Sequence, residues 1–146
     1  MTFELDPRLA NDCYKLAESE HSIWLLLNNR FFPWFIIVPK TSCTEFYQLT
    51  QEQQAQLQSE INLLSEFVDS NYKCDKLNVA IIGNIVKQMH THIIARTEQD
   101  PCWPGVVWGT NHKQAYEIKE VLDQQIKLKQ FCQVKNINEV VFASLQ

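Results

Sequence analysis

Residues 83–96 read GNIVKQMHTHIIAR and hold two of the chain's four histidines, His90 and His92, with Gln88 two places before the first. Strand side chains alternate between faces, so Gln88, His90, His92 and Ile94 share one side, and Met89, Thr91 and Ile93 the other. Val86, Ile93 and Ile94 are β-branched and Met89 is apolar, which suits a half-buried strand better than a helix. The pattern predicts two imidazoles about 7 Å apart on one face, just after a Gly83-Asn84 turn. Such a pair can bind a metal, exchange protons or attack phosphorus.

The flanking sequence supplies a scaffold for that strand. Asp6-Pro7 reads as an N-cap followed by proline at the first helical position, predicting a short helix over 7–13. Apolar runs at 23–27 and 34–38, joined by Asn28-Asn29-Arg30, read as two strands covered on both faces. Thr50 and Gln53 form a capping box, and Leu57, Ile61, Leu64 and Val68 then make one apolar stripe, so 50–71 is a helix. Residues 77–82 are a strand that Gly83-Asn84 turns antiparallel into the histidine strand. After Arg96 comes the loop TEQDPCWPGVVWG, then a second helical stripe at Ala115, Ile118, Leu122 and Ile126. Residues 131–146 fit a strand or an extended arm lying on a partner.

The order β-β-α-β-β-loop-α predicts an α+β fold, an antiparallel sheet with helices packed on one face. At 146 residues, 45% hydrophobic and 21% charged, the chain is expected to be one globular domain, 1–146. The net charge of −4 gives no basic patch for long nucleic acid, although a small phosphorylated ligand needs only local donors. No run approaches the ~20 apolar residues of a membrane span, and MTFELDPRLA has neither a basic region nor an apolar core, so no secretory signal is expected. The five cysteines, Cys13, Cys43, Cys74, Cys102 and Cys132, form no CxxC pair. Reduced thiols and a cytoplasmic location follow as expectations.

Three readings of the histidine strand remain open on this basis. A zinc site would need a third ligand from Asp100, Cys102 or His112. The histidines can also simply decorate a strand. In the third reading one neutral imidazole attacks phosphorus while the other donates a hydrogen bond to a phosphoryl oxygen. Gly83 and Asn84 would then offer backbone and amide donors to the same oxygens, and Arg96 would either add charge there or stand as a solvated flank.

The run Gln88-Met89-His90-Thr91-His92-Ile93-Ile94 resembles the histidine triad signature, His-φ-His-φ-His-φ-φ with φ apolar, with glutamine in the first position. Asn28 before the strand that follows Pro33, Asn78 in the preceding strand, Gly83 and Arg96 fit the same family. The likeness covers residues 3–112, leaving a C-terminal helix and tail at 113–146. Within the family the chain looks most like the small bacterial nucleotide hydrolases of the diadenosine polyphosphate type, and it lacks the His-Pro-His-x-Gln form of the hexose-phosphate uridylyltransferases.

That resemblance implies a nucleotide substrate attacked at its α-phosphorus by His90, with His92 on the phosphoryl oxygens and Gln88 in the same catalytic group. It implies phosphate contacts from Gly83 and Asn84, nucleotide contacts from Asn28 and Asn78, and a base-stacking wall from Trp103 and Trp108. It implies no metal and no cofactor, and a homodimer whose C-terminal segments reach toward the neighbour's site. Two departures stand out. Gln88 cannot exchange a proton near neutral pH, and Ile85 occupies a position where the family often places a hydroxyl.

Overall fold

The computed structural model describes residues 2–145, so Met1 and Gln146 lie outside it. The chain runs α1 (Pro7–Asp12), β1 (Cys13–Glu18), β2 (Ser22–Leu27), β3 (Trp34–Pro39), a 3-10 turn (Phe46–Gln48), α2 (Gln51–Tyr72), β4 (Lys76–Ile81), β5 (Thr91–Arg96), α3 (Ile118–Val134) and β6 (Val141–Phe142). The strands make one six-stranded sheet in the order β4-β5-β3-β2-β1-β6, antiparallel at every pairing. This is the α+β arrangement that the sequence predicts.

Alternation along the central strands divides the core in two. Phe35 and Ile37 of β3, Trp24 and Leu26 of β2, and Ile93 and Ala95 of β5 face α2 and α3. Trp34, Ile36 and Val38, with Ile23, Leu25 and Ile94, face the opposite way and are covered by Leu9 of α1, Phe32 and Val107. Burial on both faces is why β2 and β3 are apolar throughout. Helix α2 starts where expected. The Thr50 side chain accepts from Gln53 N–H, and the Gln53 side chain accepts from Thr50 N–H. Its stripe buries Leu57, Ile61, Leu64 and Val68, with Phe67 added against Phe35.

Several elements differ from the sequence reading. Cys13–Glu18 is a strand that the reading missed. Its register against β2 shifts between Lys15 and Ala17, so Leu16 and Ala17 both turn into the core and alternation is lost. Gly83-Asn84 is not a two-residue hairpin turn. Residues 82–90 form a longer connection, and β5 begins only at Thr91, after His90. Helix α3 begins at Ile118 and excludes Ala115. It buries Val121, Leu128 and Cys132 and leaves Ile126 51% exposed. The inward face is completed by Gln125, whose amide donates to the carbonyls of Leu16 and Ala143. The tail returns to its own sheet as β6, pairing Ala17 with Phe142. Among the described residues no helix is long and apolar enough to cross a membrane.

Candidate active site

The sheet face away from α2 and α3 bears a cavity of about 550 Å³. Its floor is Trp34 and Ile36 of β3 with His90 and His92; its walls come from α1, from Leu27 to Asn29, from residues 82–86 and from the loop carrying Val107, Trp108 and Lys113. Alternation puts His90 and His92 on this face, each 6% exposed, with ring centroids 4.8 Å apart. Met89 and Ile93 go to the other core.

The hydrogen bonds to the two rings assign their protons. Nδ1 of His90 lies 2.7 Å from the carbonyl oxygen of Gln88. A carbonyl only accepts, so Nδ1 carries the hydrogen, and in the neutral ring the lone pair is on Nε2. Nδ1 of His92 instead accepts from the indole N–H of Trp34 at 2.8 Å. Burial, and secondarily the neighbouring His90, push the His92 pKa down to about 3, so this ring is neutral over the physiological range. Trp108 closes over it edge-on, at 5.4 Å between ring centroids. The Trp108 Nε1 is buried without a hydrogen-bond partner, an unpaired donor in the cavity wall.

Of the residues singled out from sequence, His90, His92, Asn28, Gly83 and Asn84 line the cavity. Gly83 has φ +68°, a left-handed conformation that favours glycine and lets the chain fold back over the site. The Asn28 side chain accepts from Tyr116 N–H at 2.8 Å, and Asn29 donates to the carbonyl of His112, so together they tie residues 112–116 to the cavity rim.

Four of the nominated residues, Asn78, Trp103, Arg96 and Gln88, lie elsewhere. Asn78 accepts from Arg96, and Trp103 lies under the Arg96 guanidinium at 5.8 Å. Arg96 itself is 2% exposed and also binds Asp100 and the Gly105 carbonyl, so it braces the 97–109 loop and is neither a phosphate ligand nor a solvated flank. Of the two tryptophans expected as a wall, Trp108 lines the cavity and Trp103 does not.

Gln88 is also turned away from the cavity. Its Oε1 accepts from Asp6 N–H at 2.8 Å and its Nε2 donates to the Glu4 carbonyl at 2.9 Å. The side chain thereby pins the segment leading into α1, whose Arg8, Leu9, Asn11 and Asp12 line the cavity. Its influence on His90 runs through its main-chain carbonyl. Gln88→Ala is expected to cost about 1–2 kcal/mol in thermal or urea unfolding and to speed hydrogen exchange at the Asp6 amide; unchanged protection of that amide would contradict the clasp.

The proposed third zinc ligands are engaged elsewhere: Asp100 with Arg96, the Cys102 thiol with Thr110, and the His112 ring edge-on against Phe31. Among the described residues no three histidine, cysteine or acidic side chains cluster as a metal would require. Sequence reasoning missed Trp34, Arg8 and Lys113. Trp34 becomes visible only through register. It pairs with Ile94 while His92 pairs with Ile36, so the indole reaches His92 diagonally on the shared face.

An antiparallel α+β sheet with paired, oppositely bonded histidines in a cavity on one face fits the histidine triad class of protein. The HIT domain family matches residues 8–99, and the chain belongs to that family. The histidine triad protein of Marinobacter aquaeolei VT8 is 41% identical with TM-score 0.85, the match covering 90% of this chain and 97% of that one. The one from Bradyrhizobium japonicum is 36% identical with TM-score 0.84, covering 88% and 96%. A Plasmodium falciparum diadenosine triphosphate hydrolase, 15% identical with TM-score 0.62 over 93% and 83% of the chains, shares the fold. No curated protein matches.

Proposed function

We propose that this chain is a nucleotide hydrolase or nucleotidyl transferase that reacts at an α-phosphorus through His90. The observation that carries the reading is the Gln88 carbonyl on Nδ1 of His90, which leaves Nε2 as the nucleophilic nitrogen of a ring lining the cavity. In the first step Nε2 forms a bond to phosphorus as the bond from phosphorus to the leaving group breaks, and the leaving group departs with that electron pair and takes its proton from solvent. Water then attacks phosphorus, returning the imidazole and releasing the nucleoside monophosphate. His92 donates to a non-bridging oxygen as charge develops there, and the Gly83-Asn84 segment adds donors. Arg8 and Lys113 at the cavity rim supply the charge for phosphates beyond the first.

The substrates to offer are diadenosine polyphosphates, in keeping with the Plasmodium relative's activity, and a fluorogenic nucleoside phosphoramidate. Turnover that persists in a chelator supports the reading. Thermal stabilisation by nucleotides without any turnover would instead mark a nucleotide-binding protein and end the hydrolase assignment.

The homodimer implied by the family likeness would form at β4, one edge of the sheet, where Val79, Ile81 and Ile82 are 40–47% exposed beside Ile85 at 74%. Sedimentation is expected to give twice the chain mass; a monomer at micromolar concentration would refute it.

A further inference from the structure

We propose that Trp34 is a positioning residue for His92: its indole N–H, given to Nδ1, fixes that ring as a hydrogen-bond donor through Nε2. The consequence for catalysis rests on the function proposed above, but the tautomer itself can be tested without substrate.

An indole nitrogen can only donate, so Nδ1 of His92 must be the acceptor at 2.8 Å and cannot hold a proton while the contact stands. The single N–H of the neutral imidazole is then on Nε2. Protonating Nδ1 as well would set two N–H groups against each other in a buried site.

The indole has little freedom to turn away. Trp34 is 6% exposed and packs edge-on against Phe32 at 6.4 Å and Trp108 at 5.9 Å. Across the sheet His92 is flanked by Ile36 of β3 and Ala80 of β4, neither of which carries charge. His90 is the titratable group against the ring, and Arg8, Asp12 and Lys113 line the same cavity.

The two histidines therefore have opposite polarity. His90 is bonded to an acceptor and offers a lone pair on Nε2, whereas His92 is bonded to a donor and offers a hydrogen on Nε2. A side chain at the start of β3 thus makes His92 a fixed donor to a phosphoryl oxygen rather than a proton shuttle. An isolated imidazole populates both tautomers, and part of its population would present a lone pair to an oxygen that repels it.

The test is long-range proton–nitrogen NMR of the imidazoles in uniformly nitrogen-15-labelled protein, without ligand, between pH 5 and 8. Wild type is expected to show His92 unprotonated at Nδ1 and protonated at Nε2 across the range. Trp34→Phe keeps an aromatic ring but removes the donor. It is expected to give mixed His92 tautomers, and to lower kcat about tenfold with KM nearly unchanged.

A proton on Nδ1 of His92 in wild type overturns the proposal, and this spectrum decides even if the variant does not fold. A variant whose His92 keeps the wild-type tautomer and pH response also overturns it, as does an altered tautomer with unchanged kcat. A chain that turns over no nucleotide yet shows the expected wild-type tautomer refutes the proposed function and leaves the Trp34 assignment standing.

Discussion

His90→Ala is expected to lower kcat by at least about 10³-fold on any substrate the protein turns over. The imidazole is the only group in the cavity floor with a lone pair set for attack, because its Nδ1 hydrogen is held by the Gln88 carbonyl. Removing it takes away the covalent step rather than one contact to the transition state, so KM should change far less than kcat. His92→Ala removes an oxygen-directed donor and should cost about 10²–10³-fold. Because both side chains line a cavity, neither substitution should unfold the protein, and nucleotide-induced stabilisation should survive in His90→Ala. Comparable turnover by wild type and His90→Ala under single-turnover conditions would remove His90 from the chemistry.

The largest effect on stability is expected at Asp100. Arg96 and Asp100 form a two-pronged ion pair at 2.7 and 3.0 Å, with side-chain exposures of 2% and 7%. Asp100→Ala leaves the guanidinium buried with only Asn78 and the Gly105 carbonyl, an uncompensated charge worth about 3–5 kcal/mol. For a chain of this length that lowers Tm by roughly 10–20 °C. Arg96→Met combined with Asp100→Leu should recover much of the loss, since no buried charge is then orphaned.

Burial alone would raise the Asp100 carboxyl. Hydrogen bonds from Arg96 and from the Cys102 and Thr97 amides outweigh it and hold the pKa below the ordinary carboxylate value. A carboxyl that is lower in the folded state contributes its stability above the unfolded pKa, about 3.9. That contribution is lost as pH falls below this value, through the folded pKa. The acid side of the stability curve should therefore flatten in Asp100→Ala. A Tm within 3 °C of wild type, read by calorimetry at pH 7, would contradict the role of this pair. The loop it braces ends in Val107 and Trp108, so the substitution should also loosen the wall over His92.

Much of this architecture is legible in the sequence because local patterns agree with the fold. The doubly buried strands β2 and β3 are unbroken apolar runs, α2 carries its own cap, and alternation from Met89 to Ile94 does put the histidines on the face opposite Met89 and Ile93. Where tertiary contacts override pattern, the reading fails. In β1 the bulge at Leu16 and Ala17 replaces alternation with two adjacent inward residues, and Lys15 and Glu18 pair with each other on the wet side. In α3 the inward Gln125 is satisfied by two carbonyls, so a polar residue marks the buried face and an isoleucine the exposed one.

The site follows the same division. Residue types and spacing identify the two rings, but not the strand register that brings Trp34 to His92. Nor do they indicate that Gln88, Asn78 and Arg96 serve the N-terminal segment and the 97–109 loop rather than the cavity. Cations such as Arg8 and Lys113 have no local signature at all, because only the folded chain brings α1 and the residue after His112 to one rim.

The most direct measurement is intact-mass spectrometry of protein mixed with a turning-over nucleotide and quenched without acid, followed by mapping of any modified residue. The account expects a mass increase of one nucleoside monophosphoryl group, located on His90 and absent from His90→Ala. Full turnover with no adduct on the rapid-quench timescale, or the same adduct on another residue in both proteins, would contradict it.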